Sequence, residues 1–284
     1  MKKIGLFVKA DKRAIRKADE FEKWLRKKNV TVVRKENIPF NYILSKKTNF
    51  FAPSDLFCVF VLGGDGTFLT ATRWIGDQNI PILGIKFGDV GFLAELSEKD
   101  LYTVAESILK NKFSTKPRMR LWVRVIREKK EFISEAALND VVINKGALAR
   151  LADIKTYING LYLTTYRADG LIVSSPTGST AYSLAAGGPI IHPAVSGILM
   201  TPICPFTLTN RPLLVPESVH IKIEIGKKSS DIMLTIDGQA GLSINHNDTI
   251  IIQKWPHSVN MVVIPEQNYY DILKAKLKWS GSRV

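Results

Sequence analysis

Cysteine is scarce. Cys58 and Cys204 are the two cysteines in 284 residues, too few for a disulfide framework or a cysteine-rich metal site. Cys58 lies inside the apolar run LFCVFVL and reads as a small core residue rather than a reactive thiol. Long hydrophobic runs are missing as well, since no stretch approaches the roughly 20 apolar residues that span a bilayer. The N-terminal IGLFV stops at Lys9, short of a signal-peptide core. These absences point to a cytoplasmic protein with no membrane partner. Acidic residues are outnumbered, 26 against 40 Lys and Arg, leaving a net charge of +14. The basic residues are spread through segments such as KPRMRLWVRVIREKK without a nucleic-acid motif. No nucleic-acid partner is expected, and attraction of a polyanionic small molecule accounts for the sign.

The chain is long enough for two domains with proper cores. Its first third alternates strand-like and helix-like segments. KKIGLFV reads as a strand, and DKRAIRKADEFEKWLRKK carries Ile15, Ala18, Phe21 and Leu25 at helical spacing. DLFCVFVL is apolar throughout, as a strand buried on both faces would be. TFLTATRWIG then predicts a helix and IPILGIKFG a strand. SEKDLYTVAESILKNKF opens on a capping-box-like Ser97 and Asp100, with Leu101, Val104, Ile108 and Leu109 on one face. Such alternation predicts a parallel sheet covered by helices.

From Leu121 the period changes to two, the strand signature. Asn159-Gly160 between two alternating runs predicts a hairpin, and SVHIKIEIG, DTIIIQKW and VNMVVI continue the β-rich character. One short helix is expected at STAYSLAAGG. The expectation is an α/β, Rossmann-like N-terminal domain over 1–115 and a β-rich, sandwich-like C-terminal domain over 116–262. A helical tail over 263–284 would pack back on the first domain.

Phosphate chemistry is suggested by FVLGGDGTFLTATRW. Gly63, Gly64, Asp65 and Gly66 follow a buried strand and lead into a helix, the place where open α/β sheets bind ligands. The loop matches neither G-x-x-x-x-G-K-S/T, since no lysine follows, nor G-x-G-x-x-G, since Leu69 stands at the third glycine. Backbone N–H groups at a helix start hold phosphate oxygens without a lysine. A carboxylate among phosphates fits metal orientation or proton acceptance from an attacking hydroxyl. The bland alternative is a turn in which glycine permits positive φ and Asp65 caps the helix.

A second glycine cluster, DGLIVSSPTGSTAYSLAAGGPIIHP, runs from Asp169 to Pro193. Its hydroxyls and N–H groups suit phosphate or ribose, and Tyr182 suits stacking on a base or core packing. GGDGT, LNDVVIN, DGLIVSSPTGSTAYSLAAGGPI and IDGQ stand in the order found in the NAD kinase family, which the chain resembles over nearly its whole length. GGDGT alone is shared with diacylglycerol-type lipid kinases; the second cluster is not.

The resemblance implies a site in the cleft between two domains and phosphorylation of the adenosine ribose 2′-hydroxyl of NAD, giving NADP. ATP or polyphosphate would be the donor, carrying a divalent cation, Mg²⁺. Asp65 would be the proton acceptor, with the neighbouring glycines, Gly66 included, binding substrate. Asn139 and Asp140 fall on an Asn-Glu pair that contacts the dinucleotide, with Asp140 shorter by one methylene than the family's Glu. Arg150, Arg167, Asp169, Thr177, Thr180, Ala181, Tyr182, Ser183, Ala185 and Gln239 fall on or beside nucleotide-binding positions, Arg167 at one associated with NAD over NADH. A homodimer or homotetramer is implied. His192 and His246 match no catalytic position and read as surface or hydrogen-bonded residues. Two other readings stay open: a GGDGT-type lipid kinase, and a non-catalytic NAD(P)-binding regulator.

Overall fold

The computed structural model describes residues 1–37, 42–43, 51–87, 91–146, 151–263 and 268–279. They form two compact units, one within Met1–Pro39, Asn49–Pro117 and Ser258–Val284, the other within Phe40–Thr48 and Arg118–His257.

The first unit is built on a seven-stranded sheet. Its main path runs Thr31–Asn37, Lys3–Lys9, Cys58–Leu62, Ile82–Lys86, Val259–Val263 and Ser114–Arg118, with Leu96–Ser97 pairing on Ile82–Lys86. The first four strands pair in parallel. Every residue of Cys58–Leu62 is buried, which is why that segment shows no alternation. Helix Lys12–Lys27 begins where the Asp11 carboxylate accepts from the Ala14 N–H, and it ends on Arg26 and Lys27, which complement the helix dipole. Ala14, Ala18, Phe21 and Leu25 are its buried residues, while Ile15 is only partly buried. Helix Leu101–Leu109 buries Leu101, Ala105 and Ile108, with Val104 and Leu109 partly buried at the margin. Burial pushes the Cys58 thiol far above its ordinary range, so it stays neutral and inert.

The second unit packs two sheets over one core that takes residues such as Leu121, Val123 and Ile252 from one and Ile143, Val173 and Leu234 from the other. One sheet has the order Leu213–Pro216, Gly197–Ile203, Gly170–Ser174, Asp140–Lys145, Ile232–Ile236, Ala240–Ile244 and Tyr42–Ile43. The other runs Leu161–Ala168, Ala152–Ile158, Ile221–Ile225, Thr249–Lys254, Leu121–Arg127 and Lys130–Ala137. The alternating burial of Ile221–Ile225 and Ile232–Ile236 shows the period-two pattern at work. Asn159 and Gly160 both take positive φ, 50° and 81°, as a type I′ hairpin turn requires.

Two placements depart from the sequence reading. VNMVVI does not stay with the β-rich segments; Val259–Val263 enters the first sheet, where Met261 pairs with Ile82 in parallel. Tyr42–Ile43 joins the second unit's sheet beside Ala240 and Gly241. Both are pairings between strands far apart in sequence, which local pattern does not encode. Helix Tyr269–Leu277 buries Leu273, and Lys276 lies over the Phe92 ring at 5.8 Å. No helix among the described residues is long and apolar enough to cross a membrane.

Candidate active site

The glycine loop leaves the buried strand Cys58–Leu62 and enters helix Asp65–Ile75, with Gly64 as N-cap. None of Gly63, Gly64, Gly66 and Gly91 is among the glycines with positive φ, so backbone freedom does not explain them, and at Gly63 and Gly91 space does. A Cβ on Gly63 would lie 2.6 Å from Thr67 Oγ1, whereas one on Gly64 would meet nothing within 4 Å. Gly64 therefore presents bare backbone to open space at a helix start, where N–H groups favour an anion. Nor does Asp65 cap the helix, as the turn reading had it. It is the first helical residue, and its half-buried carboxylate accepts from Phe92 N–H at 2.9 Å, Leu93 N–H at 3.0 Å and Ala94 N–H at 3.1 Å. A Cβ on Gly91 would come within 2.0 Å of Asp65 Oδ1. Gly91 is thus the residue that leaves room for the carboxylate.

In the second unit the strand Gly170–Ser174 runs into a 3₁₀ turn, Thr177–Thr180, and a four-residue helix, Tyr182–Ala185, shorter than STAYSLAAGG suggests. Its hydroxyls are mostly used internally. Ser175 Oγ donates to Leu138 O at 2.5 Å and accepts from Gly178 N–H. Ser179 Oγ donates to Pro176 O and accepts from Ile191 N–H. Ser183 is fully buried with its Oγ 2.9 Å from Thr201 Oγ1, which leaves that hydroxyl to the fold. Thr180 Oγ1 donates to Thr177 O. Thr177 Oγ1, in contrast, is buried without a partner. Tyr182 is 49% exposed, so its ring is not part of the core. Ala185 is exposed as well.

Asn139, Asp140, Ala181 and Tyr182 line a cavity of about 300 Å³, together with Thr235 and Asp237 from the neighbouring strand and its turn. Asn139 Oδ1 is buried and unpartnered. The loop and the pair are locked together, because a Cβ on Gly178 would stand 2.1 Å from Asn139 O and Ser175 N–H donates to that oxygen at 2.8 Å. The Asp140 side chain is pushed up to about 7, first by burial away from water and then by the charge of Asp237, against the Tyr182 N–H that donates to it. The Asp237 carboxylate accepts from Leu138, Asn139 and Asp140 N–H at 3.1, 2.7 and 3.2 Å.

The structure does not bring every expected residue to this cavity. Asp140 pairs with Ser174 across the sheet, and Asp169 stands about 17 Å further along that strand at ~3.4 Å per residue. Asp169 pairs there with Lys145 at 3.5 Å. Arg167 is exposed, its guanidinium over the Phe206 ring. Gln239 sits half-buried in the turn after Asp237, its N–H donating to Ile236 O. Arg150 lies outside the described residues. Sequence reasoning missed Gly91 and Asp237. The Asp-Gly turn signal in IDGQ was legible, but the amides that Asp237 collects are 97 to 99 positions away.

Residues 4–113 match the family described as ATP-NAD kinase N-terminal domain, and residues 138–264 the ATP-NAD kinase C-terminal domain. The NAD kinase of Desulfatibacillum aliphaticivorans is 54% identical over 284 residues, covering all of both chains. That of Geobacter sulfurreducens is 43% identical over 284 residues, covering 98% of this chain and 99% of the relative. Among solved structures, yeast NADH kinase complexed with NADH superposes with a TM-score of 0.86 at 28% identity, over 100% of this chain and 89% of that one. An NAD kinase from Archaeoglobus fulgidus in complex with ATP shares the fold, with a TM-score of 0.75 at 22% identity, over 99% and 100% of the two chains.

Proposed function

The chain belongs to the NAD kinase family, and from that premise we propose that it moves a phosphoryl group from ATP to the adenosine ribose 2′-hydroxyl of NAD, with Asp65 as proton acceptor. The observation that carries the role of Asp65 is its set of three amide donors. A carboxylate has about four acceptor positions, and three here are filled by Phe92, Leu93 and Ala94 N–H. One remains, on a half-buried group whose orientation the other three fix. A ribose hydroxyl hydrogen-bonded there gives up its proton to the carboxylate as its oxygen bonds the γ-phosphorus and the bond to the β-phosphate oxygen breaks, leaving ADP.

Positioning and charge neutralisation dominate such a transfer. The helix start at Gly64, where a side chain would meet nothing within 4 Å, suits the donor's phosphates. The divalent cation enters with the donor as part of that substrate. Among the described residues no group of three or more His, Cys, Asp or Glu side chains is gathered to hold one, and phosphate oxygens are natural Mg²⁺ ligands. The cavity at Asn139, Asp140 and Tyr182 suits the dinucleotide, and Asn139 keeps a buried side-chain oxygen without a partner. The family match over both halves favours this reading over a lipid kinase, and turnover separates it from a non-catalytic binder.

The test is NADP formation from NAD, ATP and Mg²⁺, followed with an NADP-specific dehydrogenase, with polyphosphate as a second donor. Turnover by the wild type that collapses in Asp65→Asn is the expected result. NAD binding without turnover on either donor would sink the kinase reading. A cytoplasmic location and a homodimer or homotetramer belong to the same reading, checked by fractionation and light scattering.

A further inference from the structure

We infer that Asp237 is a positioning residue for the acceptor dinucleotide, holding Asn139 and Asp140 in their binding geometry through the amides of residues 138–140. The inference rests on the reading that this cavity binds NAD.

The turn itself does not ask for a carboxylate. Asp237 and Gly238 take φ of 51° and 62° in the three-residue turn between Ile236 and Ala240, and Asn159 adopts the same left-handed conformation, φ 50°, in a hairpin turn elsewhere in the chain. Asparagine is at least as good as aspartate in that conformation. What asparagine lacks is a second acceptor oxygen. Asp237 Oδ1 takes the Asn139 and Asp140 N–H groups, and Oδ2 takes Leu138 N–H. These donors precede and begin a strand whose own partner there is the Asp140 carbonyl, which accepts from Asp237 N–H at 2.9 Å. The carboxylate thus gathers three successive amides beside Asn139, which lines the cavity and keeps a buried, unpartnered Oδ1.

Asp237 is 7% exposed and Asp140 3%. Two carboxyl groups so enclosed are costly side by side unless one is satisfied by donors and the other holds a proton. The three amides satisfy Asp237. Asp140 is left as the partner that titrates, near pH 7. The titratable groups facing Asp140 are Asp237 and Tyr182, both lining the same cavity, and the strand on its other side sets Ser174 opposite it.

The experiment compares wild type and Asp237→Asn, as full chains, by NAD titration calorimetry between pH 6 and 8 and by steady-state NADP formation. Wild type is expected to bind NAD more weakly as pH rises through about 7, because a charged Asp140 then meets an anionic ligand. In Asp237→Asn the Kd and KM for NAD should rise on the order of tenfold, the effect of leaving a buried amide unpaired. kcat should change less. The midpoint of the pH response should also move down, since the neighbouring charge is gone; the rise in Kd and KM beside a smaller change in kcat is the readout that a purely structural role would not produce. Unchanged Kd and KM for NAD would overturn the inference, whatever the midpoint does. Wild type that fails to bind NAD would instead overturn the reading beneath it. Should Asp237→Asn fail to fold, Asp237→Glu, which keeps both acceptor oxygens but displaces them by one methylene, decides: a raised Kd for NAD with a smaller change in kcat supports the clasp, and an unchanged Kd overturns it.

Discussion

Asp65 and Asp237 stand in different units and are bound alike. Each carboxylate collects three successive backbone N–H groups from a loop distant in sequence, residues 92–94 in one case and 138–140 in the other. Both depend on glycine, but for opposite reasons. Gly91 is needed because a Cβ would strike Asp65; Gly238 is needed because its φ is +62°. The decisive difference is exposure. Asp65 is half-buried at an open helix start, so its remaining acceptor position is reachable. Asp237 is enclosed, and its charge is spent on shaping the backbone and on raising its neighbour Asp140. The same bonding pattern thus holds one carboxylate half-exposed at a helix start and the other almost fully enclosed.

The comparison can be broken most strongly at Asp65. Asp65→Asn should lower kcat on the order of 10²- to 10⁴-fold, while Asp237→Asn acts chiefly on KM for NAD; equal effects on kcat would erase the distinction. Next comes the titrating neighbour. Asp140 is raised from 3.8 to about 7, so the stability it contributes is fully present below about pH 4 and is lost as pH rises through 7. That span corresponds to on the order of 4 kcal/mol at most. Asp140→Asn should therefore be more stable than wild type at pH 8, with the advantage shrinking toward pH 5, read from urea unfolding at both pH values.

Gly91→Ala should cost about 1–3 kcal/mol through overpacking against Asp65 and should also lower kcat. In an Asp65→Gly background the stability cost should vanish, because the Cβ then has room. An undiminished cost would place the clash elsewhere. The smallest stability effect is expected at Gly64, where nothing crowds a Cβ. Gly64→Ala should shift unfolding by less than about 1 kcal/mol while raising KM for ATP, which separates ligand space from fold space in one variant.

Local chemistry was legible and distant pairing was not. The continuous apolar run before Gly63 announces a buried strand, and Asn159-Gly160 announces its own turn, since both signals lie within a few residues. Helical faces were legible to within one position: Ala14 and Ala105 are buried where Ile15 and Val104 were expected, because a 100° face admits neighbouring choices of centre. The carboxylate of Asp65 was legible as chemically out of place among phosphate-binding glycines, but its three donors were not, for they lie 27 to 29 positions on. Asp237 was further from reach still. Asp169 and Arg167 fall near the second glycine cluster in sequence, yet an extended strand carries them away from Asn139 and Asp140.

The strand Val259–Val263 lies between Ile82–Lys86 and Ser114–Arg118 in the first sheet. A ribosome that has released Lys86 must add 172 more residues before this strand begins, roughly 9–35 s at 5–20 residues per second. For that interval the nascent sheet carries an open seam, with Ile82 unpaired on that side, and unpaired strand edges invite association with other chains. A protein made in this order has its first unit completed last, so loss of the chain from Ser258 onward would strike the first unit rather than the second.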